Sequence, residues 1–194
     1  MTYALPLNKI LVAFSGNSHD GCSYRTTLLQ DLFDLDAQDA QENILKDLCW
    51  RTRYYECSFD LYIDEFEDFE EWLTELCLQE FDELREVLAG IIVVADYDPE
   101  HEGKDIILQK FANCLGQGSF NVWCNTKVIS EEKGLDANYI LHEENTEAEM
   151  VEIQCEKDIN EYGEKLGLKR LKEIIDIHEW DGVLMPSCQI KFPK

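Results

Sequence analysis

Apolar residues along the chain fall into two rhythms that take turns. Ile10-Leu11-Val12-Ala13-Phe14 is a continuous run halted by Ser15-Gly16, as expected of a strand buried on both faces. From Cys22 to Leu32 the spacing turns helical, with Leu28, Leu29, Leu32 and Phe33 forming the stripe. Between Ile44 and Asp64 the period drops to two: Tyr55, Cys57, Phe59, Leu61 and Ile63 alternate with Glu56, Ser58, Asp60 and Tyr62. Arg51-Thr52-Arg53 is placed to turn Ile44–Trp50 back against that strand as a hairpin. Glu65 to Leu88 carries Phe66, Phe69, Trp72, Leu73, Leu76, Phe81, Leu84 and Leu88 at helical spacing. Ala89–Asp96 returns to a buried strand, and a polar loop follows to Gly103. Ile107, Leu108, Phe111, Ala112 and Leu115 mark a helix closed by Gly116. Phe120–Asn125 is another short strand, 126–149 has no assignable period, and Val151-Glu152-Ile153 suits a last strand. Leu168, Leu171, Ile174, Ile175 and His178 form the stripe of a helix from Leu168 to Trp180.

Buried strands separated by helices predict a largely parallel sheet covered on both faces. The hairpin of 44–64 adds an antiparallel edge strand. The expectation is an α/β fold of about six strands, with 1–194 as one domain, since no repeat, low-complexity block or linker divides the chain.

Charge narrows the function. With 17 Lys and Arg against 41 Asp and Glu, the formal charge is −24, which excludes a protein that grips nucleic acid phosphates or a polybasic membrane-surface module. Disorder does not follow, because 45% of residues are hydrophobic and 11% aromatic. Eight cysteines contain no C-x-x-C pair and no secretory start accompanies them, so they read as thiols of a cytoplasmic protein. No apolar run is long enough to span a bilayer. The histidines at 19, 101, 142 and 178 form no H-E-x-x-H pattern, and no metal or cofactor is expected.

The loop after the first strand reads Gly16-Asn17-Ser18-His19-Asp20-Gly21-Cys22-Ser23. Against the phosphate-loop pattern G-x-x-x-x-G-K-[ST] it matches Gly16, Gly21 and Ser23, but Cys22 stands where lysine belongs. A thiol cannot neutralise β- and γ-phosphates, and Asp20 adds a negative charge inside the loop. Ile63-Asp64-Glu65-Phe66-Glu67 offers an aspartate for magnesium but no glycine three residues on. Asn125-Thr126-Lys127-Val128 resembles a guanine-reading N-K-x-D without its carboxylate. These residues describe a phosphate loop without working chemistry, or turn glycines alone. Neither reading makes the chain an enzyme.

Several segments carry a resemblance: Asn8-Lys9-Ile10-Leu11-Val12, Arg53-Tyr54-Tyr55, Phe59-Asp60-Leu61-Tyr62-Ile63-Asp64, Ala89-Gly90-Ile91-Ile92, and above all Tyr162-Gly163-Glu164-Lys165-Leu166-Gly167-Leu168-Lys169-Arg170 continuing through His178-Glu179-Trp180. Through them the chain resembles the fungal branch of the alpha- and gamma-adaptin-binding protein family. The resemblance implies a Rab-like small-GTPase (P-loop) fold that has lost nucleotide binding. It implies a chaperone-like role in clathrin-coated vesicle transport, through adaptor complex subunits of the gamma- or alpha-adaptin type and Rab GTPases. It also implies a helical C-terminal extension after the domain, which is not recognised before Lys194. Two alternatives are a functional GTP-binding protein with atypical motifs and a genome-maintenance factor, the latter suggested by how the branch's budding-yeast member is named.

Two stretches are candidate partner contacts. Between Asp64 and Glu86 stand eleven carboxylates and one base, Arg85; Glu67, Glu70 and Glu71 head a face that is either simply solvated or able to steer a basic partner. Tyr162, Gly163 and Lys165 precede the last helix beside a positive run of Lys169, Arg170 and Lys172, and read as a tightly turned helix start or as a contact loop anchored by Tyr162. Asp96 to Gly103 alternates carboxylates as calcium loops do, but His101 stands where an EF-hand needs glycine.

Overall fold

The computed structural model describes residues 8–16 and 21–185, with only the backbone at Gly21, Cys22 and Ser23. One sheet of six strands organises them: β1 (Lys9–Ser15), β2 (Ile44–Arg51), β3 (Glu56–Phe66), β4 (Leu88–Ala95), β5 (Phe120–Asn125) and β6 (Ala148–Glu152), in the order β2-β3-β1-β4-β5-β6. β2 and β3 pair antiparallel, and every other pair is parallel. The helices are α1 (Gly21–Phe33), α2 (Phe69–Leu76), α3 (Asp82–Arg85), α4 (Lys104–Ala112), α5 (Glu131–Glu144) and α6 (Gly167–Ile177).

Alternation along the strands divides the core in two. Ile10, Val12, Phe14, Phe59, Leu61 and Ile63 face α1 and α6, and Leu28, Leu29, Leu32, Leu171 and Ile175 pack onto them. Leu11, Ala13, Ile91, Val93 and Trp123 face the other way, beneath Trp72, Leu73, Leu108, Phe111, Ala137 and Leu141 from α2, α4 and α5. β4 is buried at all eight positions, as a strand covered on both faces must be.

The hairpin forms as its period predicts. Thr52 closes it: its hydroxyl accepts from the amides of Tyr54 and Tyr55 at 3.1 Å each, and its own amide donates to the Tyr55 carbonyl at 2.8 Å. β2 is the sheet edge and is irregular, with a register shift between Leu45 and Leu48 and Asp47 at φ 56°. Such a bulge blunts an edge against unwanted pairing.

Other elements depart from expectation. The predicted helix over 65–88 is broken: β3 runs on to Phe66, α2 ends at Leu76, and a single 3₁₀ turn (Gln79–Phe81) precedes α3. Continuing α2 would carry Glu80 onto the stripe buried by Leu73 and Leu76, and Leu78 is extended instead, at ψ 154°. α4 stops at Ala112, capped by Asn113, whose Nδ2 donates to the Gln109 carbonyl at 3.0 Å; Gly116 does not close it. Within 126–149 lies α5, started by Ser130, whose hydroxyl accepts from the Lys133 amide. α6 ends at Ile177 because His178 turns extended, so Trp180 lies off the helix and donates to the Ile175 carbonyl at 3.0 Å.

Trp50, Trp72, Trp123 and Trp180 are all core residues, between 5% and 9% exposed. Among the described residues the six cysteines are free thiols, three of them buried; burial pushes Cys57 up to about 11 and Cys114 up to about 12.

Candidate interaction surface

Because β1, β3, β4, β5 and β6 are parallel, the loops after them leave the sheet at one end. The loop after β1 leads to α1 on one face, while those after β3 and β4 lead to α2 and α4 on the other. That divergence beside β1 is the switch point at which open α/β sheets bind ligands.

Gly16 sits there, its amide donating to the Phe66 carbonyl at 2.8 Å. Its backbone is not left-handed, and an added Cβ would lie 3.5 Å from the same carbonyl oxygen, an ordinary contact. Neither room nor backbone geometry demands glycine at this place. Gly21, Cys22 and Ser23 open α1; their side chains, and Asn17 to Asp20, lie outside the described residues.

The neighbouring polar groups are committed to the fold. Asp64 accepts the Trp72 indole N–H at 2.9 Å through one oxygen and the Glu65 amide at 2.9 Å through the other. Asn125, 1% exposed, accepts from the amides of Tyr97 and Lys127 and donates to the Lys127 carbonyl. Arg25 pairs with Glu65 and reaches the Glu42 carbonyl at 3.2 Å and Asn43 Oδ1 at 2.9 Å, which pins the segment before β2 to α1.

Tyr162 crowns a small hairpin over 158–166. Asn160 holds it, its Oδ1 accepting from the amides of Tyr162 and Glu164 at 3.0 and 2.9 Å, and Gly163 adopts φ 84° at the turn. Tyr162 is 79% exposed. Three of the bases beside it are paired: Lys165 with Glu173 at 3.0 Å, Lys169 with Asp158 at 2.8 Å, and Arg170 with Glu149 and Glu173 at 2.6 and 2.7 Å.

Glu67, Glu70 and Glu71 cluster at the start of α2, all exposed. Part of that placement is local: Asp68 caps α2 by accepting from the Glu71 amide at 2.8 Å, and Glu70 and Glu71 occupy the first turn, where the helix dipole favours anions. Tyr162 and Lys165 follow β6, whereas the glutamates follow β3, four strand spacings away. That is roughly 19 Å across the sheet, so the two candidate contacts are separate patches.

A third feature was not anticipated. α2 and the loop between β4 and α4 enclose a cleft of about 240 Å³ lined by Asp68, Phe69, Glu70, Tyr97, Asp98 and Trp123 among others. Its sequence signals are individually ordinary, an aromatic within an acidic run and a tyrosine just past a buried strand. Phe69 and Trp123 meet edge to face at 4.6 Å, and Tyr97 meets Trp123 at 5.9 Å.

No protein-family model matches the chain. Increased recombination centers protein 6 of Zygosaccharomyces rouxii is 40% identical over 179 residues, covering 90% of this chain and 70% of the relative. The protein of that name from Saccharomyces cerevisiae (strain ATCC 204508 / S288c) is 36% identical over 197 residues, covering 98% and 80%. The chain belongs to the increased recombination centers protein 6 family. This bears out the fungal branch to which the 162–180 segment pointed. The crystal structure of yeast Irc6p, a clathrin accessory protein, superposes with a TM-score of 0.78 at 32% identity, over 94% of this chain and 98% of that one.

Proposed function

We propose that this chain is a non-catalytic interaction module of clathrin-coated vesicle traffic, built on a Rab-like GTPase fold that has lost nucleotide binding, and that it binds subunits of clathrin adaptor complexes. The observation that carries the reading is the likeness, over nearly the whole chain, to yeast Irc6p, a clathrin accessory protein. A role in clathrin-dependent traffic follows from that kinship; docking to adaptor subunits and to Rab GTPases is the finer step.

The site chemistry supports the lost nucleotide. β1, whose end carries Gly16, lies at the switch point of the sheet, which agrees with an inherited phosphate loop after it. Gly16 stands there although the fold does not require it, as an inherited loop would leave it. Cys22 supplies no charge for a polyphosphate. Asp64, where a magnesium-facing carboxylate would stand, already holds the Trp72 indole. A charge of −24 further disfavours a polyanionic ligand and favours protein partners.

A pull-down with purified adaptor large subunits tests the reading; retention is expected, and no retention of either the alpha or the gamma type sinks it. A thermal-shift titration with GTP and magnesium tests the lost nucleotide. A flat response is expected, whereas stabilisation that saturates with GTP refutes it through binding linkage.

A further inference from the structure

We propose that the outer face of α4 and α5 is a docking surface for an amphipathic helix of a partner protein, one whose apolar stripe is flanked by Lys and Arg. The proposal deepens the reading of the chain as an interaction module and rests on it. Apolar placement, shape and charge each select that partner.

The apolar residues of α5 are distributed the wrong way round for a helix that serves the fold alone. Toward the sheet it buries Ala137 and Leu141. Leu135 and Tyr139 stand outside, 64% and 71% exposed, and their i, i+4 spacing puts them on one face. On the neighbouring α4, Ile106 is 70% exposed. The seating of α5 does not depend on these residues. Asn138 bonds both the amide and the carbonyl of Met150 in β6, and Ser130 caps the helix start. Single apolar residues in water are ordinary, but a pair at helical spacing beside a furrow makes a patch.

The shape suits a third helix. α4 and α5 lie side by side, and Asn113 ties them at one end by donating from Nδ2 to Glu144 at 2.8 Å. Between them runs a furrow of about 300 Å³, lined by Asp105, Lys133, Asp136, Tyr139 and Ile140 among others. Side-chain ridges of one helix seat in such grooves of another. α5 has 14 residues and so offers a seat about 21 Å long.

Charge fixes the kind of helix. Asp105, Glu132, Asp136 and Glu143 are exposed, and among the described residues their carboxylates make no hydrogen bond or ion pair. Of the bases that line the furrow, Lys133 is engaged by Glu100 at 3.1 Å, which leaves Lys104. A face both apolar and anionic is complementary to a helix both apolar and cationic. Other occupants fit less well. A second copy of this chain would set like charges against each other, and an anionic membrane or a nucleic acid would be repelled.

The test titrates the ¹⁵N-labelled full chain with a leucine–lysine peptide as long as α5, its leucines along one helix face. An isomer of the same composition, with leucines scattered around the helix, is the control. The amide signals of Ile106, Leu135, Asp136 and Tyr139 are expected to move together and saturate with the patterned peptide. The isomer, which keeps the charge, should bind about tenfold more weakly. Leu135→Gln combined with Tyr139→Gln removes the stripe but keeps helix propensity. It should weaken binding about tenfold and leave the thermal midpoint unchanged. Asp136→Lys should weaken binding about fivefold, whereas Glu83→Lys on α3 should stay within about twofold. Glu70 and Glu71 head an acidic surface without such a stripe, and their signals should move far less.

No saturable shift, equal shifts at Glu70 and Glu71, equal binding of the isomer, or binding that survives the double variant overturns the proposal. A fall in the thermal midpoint of the double variant assigns the stripe to the fold instead. Sedimentation as a dimer that the double variant abolishes assigns the face to a second copy. Either result also overturns the proposal. A pull-down with adaptor large subunits separates the surface from the broader reading. Retention lost in the double variant supports the surface, and retention unchanged refutes it while the module stands. If the unmodified chain is not retained, the module fails, and the peptide titration still decides the surface.

Discussion

Two aromatic clusters, one on each face of the sheet, are built from the same residue types and finish differently. On the α1 and α6 face, Phe33, Trp50, Phe59, Phe120, His178 and Trp180 form a chain of ring contacts from 4.8 to 6.2 Å. Three polar ends around it are matched: Trp50 donates to Asp176 Oδ1 at 2.9 Å, Trp180 to the Ile175 carbonyl, and Tyr55 to the Asp176 carbonyl at 2.7 Å, while the buried Nε2 of His178 has no partner among the described residues. On the other face Phe66, Phe69, Trp72, Tyr97, Phe111 and Trp123 are linked as closely, from 4.6 to 6.0 Å. The Trp72 and Trp123 indoles find acceptors there, and the Tyr97 hydroxyl makes no hydrogen bond to another described residue. The first cluster is closed and clasps α6 and the following segment, where Leu184 pairs with Glu56 through two backbone bonds at 2.8 and 2.9 Å. The second opens into a cleft. Rings covered by a following segment of chain serve stability, whereas those of the second cluster border open space.

The closed cluster should yield the largest effects. Trp180→Ala removes the ring that joins α6 to Phe59 and should cost about 3–5 kcal/mol in urea unfolding. Amide exchange at Glu56 and Leu184 should rise with it, because the backbone pairing there depends on the segment Trp180 anchors. A loss below about 1 kcal/mol would show that this cluster is not the clasp it looks to be. Gly90→Ala tests the same face from within the sheet. An added Cβ would fall 2.2 Å from the Phe120 ring, which is itself buried against His178, so a penalty of about 1–3 kcal/mol is expected from overpacking.

The two faces also differ in how far the sequence discloses them. Strands buried on both sides announce themselves as apolar runs, and the hairpin by its period of two, so the sheet was readable. α5 was not, because its buried residues are just Ala137 and Leu141, and it is held to β6 through Asn138, which donates to the Met150 carbonyl and accepts its amide. A polar side chain doing the work of packing leaves no hydrophobic period. The break after α2 depended on where a single charge, Glu80, would have landed. Tyr162 and Glu70 were recognisable as candidates one by one, but strand order alone puts them on separate patches. The cleft was hidden for a related reason: Phe69, Tyr97 and Trp123 come from three segments, and each looks like an ordinary core residue until the fold unites them.

The comparison is sharpest in two substitutions that delete the same atom. Tyr55→Phe breaks a 2.7 Å bond to the Asp176 carbonyl and leaves that acceptor behind, so it should cost about 1 kcal/mol at neutral pH.

Tyr97→Phe breaks nothing within the chain and should leave stability within about 0.5 kcal/mol of the unmodified protein. A loss as large as that of Tyr55→Phe would mean that the hydroxyl is satisfied internally, and the open cluster would then be closed. Alkaline pH gives a second view of both. Burial, with nearby carboxylates adding to it at Tyr97, pushes each phenol up to about 12 from an ordinary 10.0. The unfolded chain therefore releases these protons first. Their contribution to stability is whole below pH 10 and is lost as the pH climbs from 10 to 12. Unfolding followed across that window should show a shallower decline in either variant than in the unmodified chain. At neutral pH the two must part, with Tyr55→Phe weakened and Tyr97→Phe unchanged.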